Sequence, residues 1–346
     1  MSLVTVTSPH AHGPSSTQRV MRDVLVGTLP GIAALAWFFG WGTLVNVLLA
    51  VVVALACEAL VLKARGKPLA FYLTDLSAVV TAVLLACALP PLAPAWLVAF
   101  GTAFAIVFGK QLYGGLGMNP FNPAMLGYAL LLVSFPVAMT TWNLPASLAG
   151  APLSLADTVA LKLGLSSLAD GVTGATPLDA FRQFHDTPAR LDAIPVMHGW
   201  LAGAGWEHVN LAFLAGGLFL LARRVISWHI PLAFLATLVL LSGTASLMDP
   251  QRFASPLFHL LSGGTMLCAF FIATDPVSAA TSRNGRLVFA AGIGVLVWVI
   301  RTFGGYPDAV AFSVLLMNLA APAIDYYTQP RTYGHRKAGG GIGMPK

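Results

Sequence analysis

Charge is scarce in this chain. Only 9% of its 346 residues are Asp, Glu, Lys or Arg, while 57% are hydrophobic; a soluble domain carries about 25% charged residues. The composition excludes a soluble globular domain and implies a polytopic membrane protein in a lipid bilayer. Cysteine is equally scarce. Cys57, Cys87 and Cys268 lie in or beside apolar segments and form no C-x-x-C pair, so neither an iron–sulfur cluster nor a zinc site held by this chain alone is expected. They read as small buried hydrophobes. Carboxylates are missing from the middles of the apolar segments: Glu58, Asp75 and Asp275 fall near one end of theirs, Asp249 and Asp308 near the other. A relay of carboxylates across the membrane is therefore absent, which argues against a self-sufficient proton-coupled transporter. There is no serine nucleophile elbow, no phosphate-binding lysine loop and no H-E-x-x-H, and the glycine-rich tail "AGGGIGMPK" opens no helix after a strand. No catalytic residue and no metal ligand set is expected. The first 20 residues lack the apolar core of a signal peptide and read as a polar tail, with His10 and His12 belonging to it and not to a metal site.

What is present is apolar sequence in long blocks. Ten candidate spans fall at about 24–40, 43–62, 75–92, 95–109 and 123–140, then 207–222, 228–247, 257–275, 286–303 and 307–326. The net charge of +6 is carried by short loops beside these blocks, which points to membrane orientation and not to nucleic acid. With the N-terminus inside, 14 of the 19 basic residues fall in inner segments; Lys162, Arg182, Arg190, Arg252 and Arg301 fall outside. That segregation supports ten spans with both termini cytoplasmic. Trp37, Trp41, Trp96, Trp142 and Trp206 lie near predicted outer ends, where tryptophan usually anchors a span.

The chain also resembles itself. "KQLYGGLGMNPFNPAMLGYALLL" from Lys110 and "RTFGGYPDAVAFSVLLMNLA" from Arg301 share a basic residue, an aromatic, Gly-Gly, a proline and an apolar run. "LSAVVTAVLLACALP" from Leu76 matches "LSGGTMLCAFFIATDP" from Leu261 in the same order. Five spans per half is odd, so the second half is inverted relative to the first, and such halves build a central site at their interface. The expected architecture is all-α, with about ten transmembrane helices in two inverted five-helix repeats. The expected divisions are an inner tail at 1–22, a first repeat at 23–140, an external loop at 141–206, a second repeat at 207–327 and an inner tail at 328–346.

Three stretches are dense enough in polar and turn-forming residues to carry chemistry. "GGLGMNPFNPAM" (Gly114–Met125) breaks a helix. It reads either as a loop with Asn caps or as a cavity wall where Asn119 and Asn122 offer both donors and acceptors to the edge of a flat heteroaromatic ring. "ATDPVSAA" places Asp275 before Pro276, as a helix-end turn or a pocket rim. The third is "DGVTGAT", Asp170–Thr176, in the longest weakly apolar stretch. By itself it is a turn stopped by Pro177, or a threonine hydroxyl offered for a phosphoester.

The pattern D-x-x-T-G-A-T resembles the motif on which a flavin transferase joins FMN to the last threonine in the RnfD/NqrB family of membrane flavoproteins. "GGLGMNPFNPAMLGY", "FIATDPVSAATSRNG" and "FGGYPDAVAFSVLLMN" are similar to that family too, and the likeness runs from about Arg22 to Tyr333. The resemblance implies FMN held through a phosphothreonyl bond at Thr176, with Asp170, Thr173, Gly174 and Ala175 serving recognition by the transferase. It implies a second, noncovalent flavin, riboflavin, near the inner side, where Asn119, Asn122 and Asp275 are the candidate contacts. It implies an electron relay in a bacterial inner-membrane complex that couples ferredoxin and NAD chemistry to sodium or proton movement, with Thr176 external. The partners implied are further membrane and peripheral subunits, including iron–sulfur subunits and a second covalent-FMN subunit, and catalysis then belongs to the complex. The short N-terminal tail looks more like the Rnf type than the sodium-pumping NADH:quinone oxidoreductase type. A flavin-free solute channel or carrier of inverted-repeat architecture is the competing expectation.

Overall fold

The computed structural model describes residues 17–149, 153–166, 171–184, 194–250, 252–306 and 308–328. Among the described residues it is built of helices, with one two-residue antiparallel ribbon. The first half comprises α1 (Thr17–Phe39), α2 (Gly42–Ala64), the short α3 (Leu69–Leu73), α4 (Ser77–Ala88), α5 (Ala95–Ile106, extended by a π turn Val107–Gln111) and α6 (Pro123–Ser134). The connecting region holds α7 (Pro136–Thr140), strand β1 (Trp142–Asn143), α8 (Leu155–Lys162), strand β2 (Thr173–Gly174) and α9 (Pro177–Phe184). The second half holds α10 (Trp206–Ala222), α11 (His229–Met248), α12 (Pro256–Leu261), α13 (Thr265–Leu267, extended by a π turn Cys268–Ile272), α14 (Arg283–Phe303) and α15 (Val310–Thr328).

Five of these helices, α1, α2, α11, α14 and α15, are long and apolar enough to cross a membrane. The remaining apolar blocks are shorter helices. α4 has only 12 residues, because Leu76 is in the left-handed region at one end and the Leu89-Pro90-Pro91 run stops the other. α6 stops at Ser134, before Pro136. The block predicted at 257–275 is broken at Ser262–Gly264, where Gly263 has a φ of 59°. Asn210 of α10 repairs that break: its Nδ2 donates to Leu261 O and Gly263 O, each at 3.0 Å, and its Oδ1 accepts from Met266 N at 3.1 Å. Irregular backbone at membrane depth survives only where such partners exist. The first helix starts at Thr17 and not near residue 24, so Arg19, Arg22 and Asp23 belong to it.

Three basic residues read as loop charges are buried. Lys110, in the π turn after α5, donates to Glu58 Oε1 at 2.5 Å and to Ser77 Oγ at 2.6 Å. Arg301 donates to Thr265 Oγ1 and His259 O, each at 3.0 Å, and to Asp308 Oδ1 at 3.2 Å. Lys162 of α8 donates to Asn46 Oδ1 at 2.5 Å and Ala93 O at 2.9 Å. The tryptophans also divide. Trp37, Trp41 and Trp96 are exposed, whereas Trp142 and Trp206 are buried against each other and Phe39, with centroids 4.7 Å apart in the Trp pair. The latter two are cavity walls and not lipid anchors.

Candidate functional site

The attachment-like motif is built by a short ribbon and a cap. β1 pairs with β2 in the register Trp142↔Gly174 and Asn143↔Thr173, and Leu144 N donates to Val172 O at 3.0 Å. Gly174 is required by this packing: a Cβ there would lie 2.5 Å from Leu144 Cδ2. Thr176 then starts α9. Its hydroxyl accepts from Asp179 N at 3.2 Å and donates to Asp179 Oδ2 at 2.7 Å, while Thr176 N donates to the same oxygen at 3.4 Å. With Pro177 at the first helical position, T-P-L-D forms a capping box. α9 is seated through Leu178 and Phe181 on Phe258 of α12. A Cβ on Gly203 would overlap Pro177, so the later loop also closes on this turn.

Thr176 is only 9% exposed, and it faces inward. It lines a partly open cavity whose walls include Tyr128, Met125, Trp142, Trp206, Phe213 and Asp308. Burial holds the Asp179 carboxyl above the usual carboxylate range, and its hydrogen bonds to Thr176 oppose that shift. The cavity is mostly apolar and aromatic with a few polar groups, the usual form of a small-molecule site. Thr173, Gly174 and Ala175 are placed here as expected for one segment, while Asp170 lies outside the described residues. Asp179 is not among the residues expected from the sequence, although T-x-x-D before an apolar turn is itself a capping signal.

A second, roomier cavity lies at the opposite ends of α1, α4 and α10. Asn119, Asn122 and Asp275 all line it, together with Ser77, Lys110, Phe270 and Phe271. The three are not equivalent. Asn122 is committed, accepting from Met125 N at 3.2 Å as the cap of α6 and donating to Ile272 O at 3.3 Å. Asp275 closes its own turn by accepting from Val277 N at 3.2 Å and Ser278 Oγ at 2.8 Å. Asn119 donates to Phe121 O at 2.9 Å, and its buried Oδ1 has no partner. It is the member of the trio with an acceptor to spare.

A family described as NQR2, RnfD, RnfE matches residues 4–334. The chain belongs to this family. Among its relatives, a protein of Alcanivorax borkumensis is 64% identical over 99% of both chains. One of Ectopseudomonas mendocina is 59% identical, also over 99% of both. One of Escherichia fergusonii is 53% identical over 96% of this chain and 98% of that protein. All three are named as the D-type component of an ion-translocating oxidoreductase complex. As a member of this family with five helices fit to cross a bilayer, the chain is a membrane protein.

Proposed function

We propose that this chain is the D-type component of an Rnf ion-translocating oxidoreductase complex in a bacterial inner membrane, and that it relays electrons through FMN esterified to Thr176. The carrying observation is that the last threonine of D-x-x-T-G-A-T lines an aromatic cavity rather than facing outward. The residues present fit the group. Trp142, Trp206 and Tyr128 offer flat apolar surface for a ring system, and Thr176 stands at the N-terminus of the eight-residue α9, which favours a phosphate. Bound flavin supplies the electron exchange; this chain supplies position and surroundings. The tether fixes one end, the aromatic walls exclude water, and Asp179 holds or gives up a proton at its Oδ2 beside the ester position. In the second cavity, the unpartnered Asn119 Oδ1 supports a noncovalent flavin such as riboflavin, since it can accept from a ring N–H.

The reading includes ten spans in two inverted halves, with both termini inside and Thr176 external. Matched packing supports it. α2 packs on α4 and α5 as α11 packs on α12 and α14, and α5 packs on α6 as α14 packs on α15. Lys110 and Arg301, at matching places in the self-similar stretches, each reach the hydroxyl residue that opens a short helix, Ser77 of α4 and Thr265 of α13. The relatives' shared name and near-complete coverage support the Rnf type over the quinone-reducing type. The implied partners are the remaining membrane, iron–sulfur and covalent-FMN subunits and the flavin transferase.

The test is in-gel flavin fluorescence of the denatured chain produced with the transferase, plus a mass spectrum of the peptide containing Thr176. The band and the FMN mass are expected in the unaltered chain and lost in Thr176→Ala. A fluorescent Thr176→Ala band would move the attachment elsewhere; no band in the unaltered chain would favour a flavin-free carrier.

A further inference from the structure

The two cavities lie back to back, and one aromatic contact stands between them. Phe213 of α10 lines the cavity of Thr176, and Phe271 of the π turn after α13 lines the cavity of Asn119. Their rings meet edge to face, with centroids 5.9 Å apart and planes at 72°. Both side chains are buried. Next to them, the Asn122 amide ties to Ile272 O across the same partition.

Glycines hold the rings in place. A Cβ on Gly31 of α1 would overlap the Phe213 ring. Cβ atoms on Gly27 and Gly216 would each come within 3.2 Å of the Phe271 ring, and that on Gly216 would strike Gly27 O. α1 and α10 therefore touch backbone to backbone at mid-length and leave each ring a single bed. A partition of this kind is apolar and thin. A hydrated cation crossing it would shed water without compensation, and narrow apolar constrictions in pores stop ions by dewetting.

We infer that the Phe213–Phe271 pair is the internal seal of this protein, a two-ring septum that keeps hydrated cations from passing between the cavities. Ion movement driven by electron transfer is then not short-circuited through this chain, while groups in the two cavities stay close neighbours. The inference rests on the proposed reading in one respect, that the cavities open toward opposite membrane faces.

The assembled complex in sealed vesicles, without electron donor, provides the test. A sodium gradient or an acid pulse is imposed, and its decay is followed with a trapped dye. Phe213→Ala with Phe271→Ala should dissipate the gradient about tenfold faster, corresponding to ~1.4 kcal/mol off the barrier. Leucine at both positions should keep the unaltered rate, because it retains most of the bulk. If the double alanine chain does not assemble, Phe271→Ala alone opens one side and should leak measurably. Vesicles of an assembled alanine variant as tight as the unaltered complex overturn the seal. The two-face premise is read separately, by impermeant maleimide labelling of Thr140→Cys and Thr274→Cys in a chain whose three cysteines are alanine. Labelling of both from one side overturns the premise. Labelling from opposite sides, with tight alanine vesicles, overturns the seal itself.

Discussion

Thr176 and Asp179 hold each other in both directions: the Thr176 hydroxyl donates to Asp179 Oδ2 at 2.7 Å and accepts from the Asp179 backbone N–H at 3.2 Å. A carboxylate therefore sits where a phosphoester on Oγ1 would bring further negative charge. Burial already favours the protonated form of Asp179, and the same crowding makes the carboxylate costly beside a phosphate.

Asp179→Asn should thus leave flavin attachment intact, since an amide keeps an oxygen to accept from Thr176 N without a charge. Asp179→Ala removes the capping partner and should destabilise the start of α9 by about 1 kcal/mol. In-gel fluorescence per mole of chain separates the two effects. A dark Asp179→Asn chain would show instead that the carboxylate itself is needed for attachment.

Lys110 and Glu58 form a buried pair in the first half. Breaking such a pair from one side strands a charge and costs ~3–5 kcal/mol. Lys110→Met should lower the melting temperature in detergent sharply, and adding Glu58→Gln should recover much of the loss. Additive losses would mean that the pair is not coupled.

Lys162 gives the connecting region a pH dependence. Burial lowers its pKa from the ordinary 10.5 to about 7. The neutral amine is the form favoured when α8 is docked, so docking is insensitive to pH below about 7. It strengthens as pH rises from there to 10.5 and is level above. The melting temperature should gain more between pH 7 and pH 9.5 in the unaltered chain than in Lys162→Met. Equal gains would show that Lys162 does not carry the effect.

Gly216 and Gly243 offer a paired test of packing. Gly216→Ala must part α1 from α10, because the new carbon strikes Gly27 O, and overpacking of this kind costs ~1–3 kcal/mol. Gly243 meets nothing nearer than Pro256 Cγ at 3.6 Å, so Gly243→Ala should be neutral or gain about 0.5–1 kcal/mol in helix propensity. Thermal unfolding of the two variants checks the contrast.

The sequence was most readable where one physical rule acts alone. Apolar length predicted a helical chain, although only five of the described helices have the length of a span. It was least readable where partners come from far along the chain. Lys110, Lys162 and Arg301 look like loop charges until Glu58, Asn46 and Thr265 are brought to them from other parts of the fold. Trp142 and Trp206 look like lipid anchors until β1 and α10 turn them onto each other. The commitment of Asn122 to Ile272 O spans 150 residues, and no local pattern announces it.

The burial of Thr176 also bears on timing. Its hydroxyl is enclosed by α9, which is pressed onto Phe258 from one side and closed over by Gly203 from the other. A modifying enzyme cannot grip a threonine in that position. On the flavin reading, attachment therefore belongs to biogenesis: the transferase meets the segment while α9 is still undocked, and docking then stows the cargo. A chain that docks first would be a dead end, folded and inserted yet permanently without its carrier.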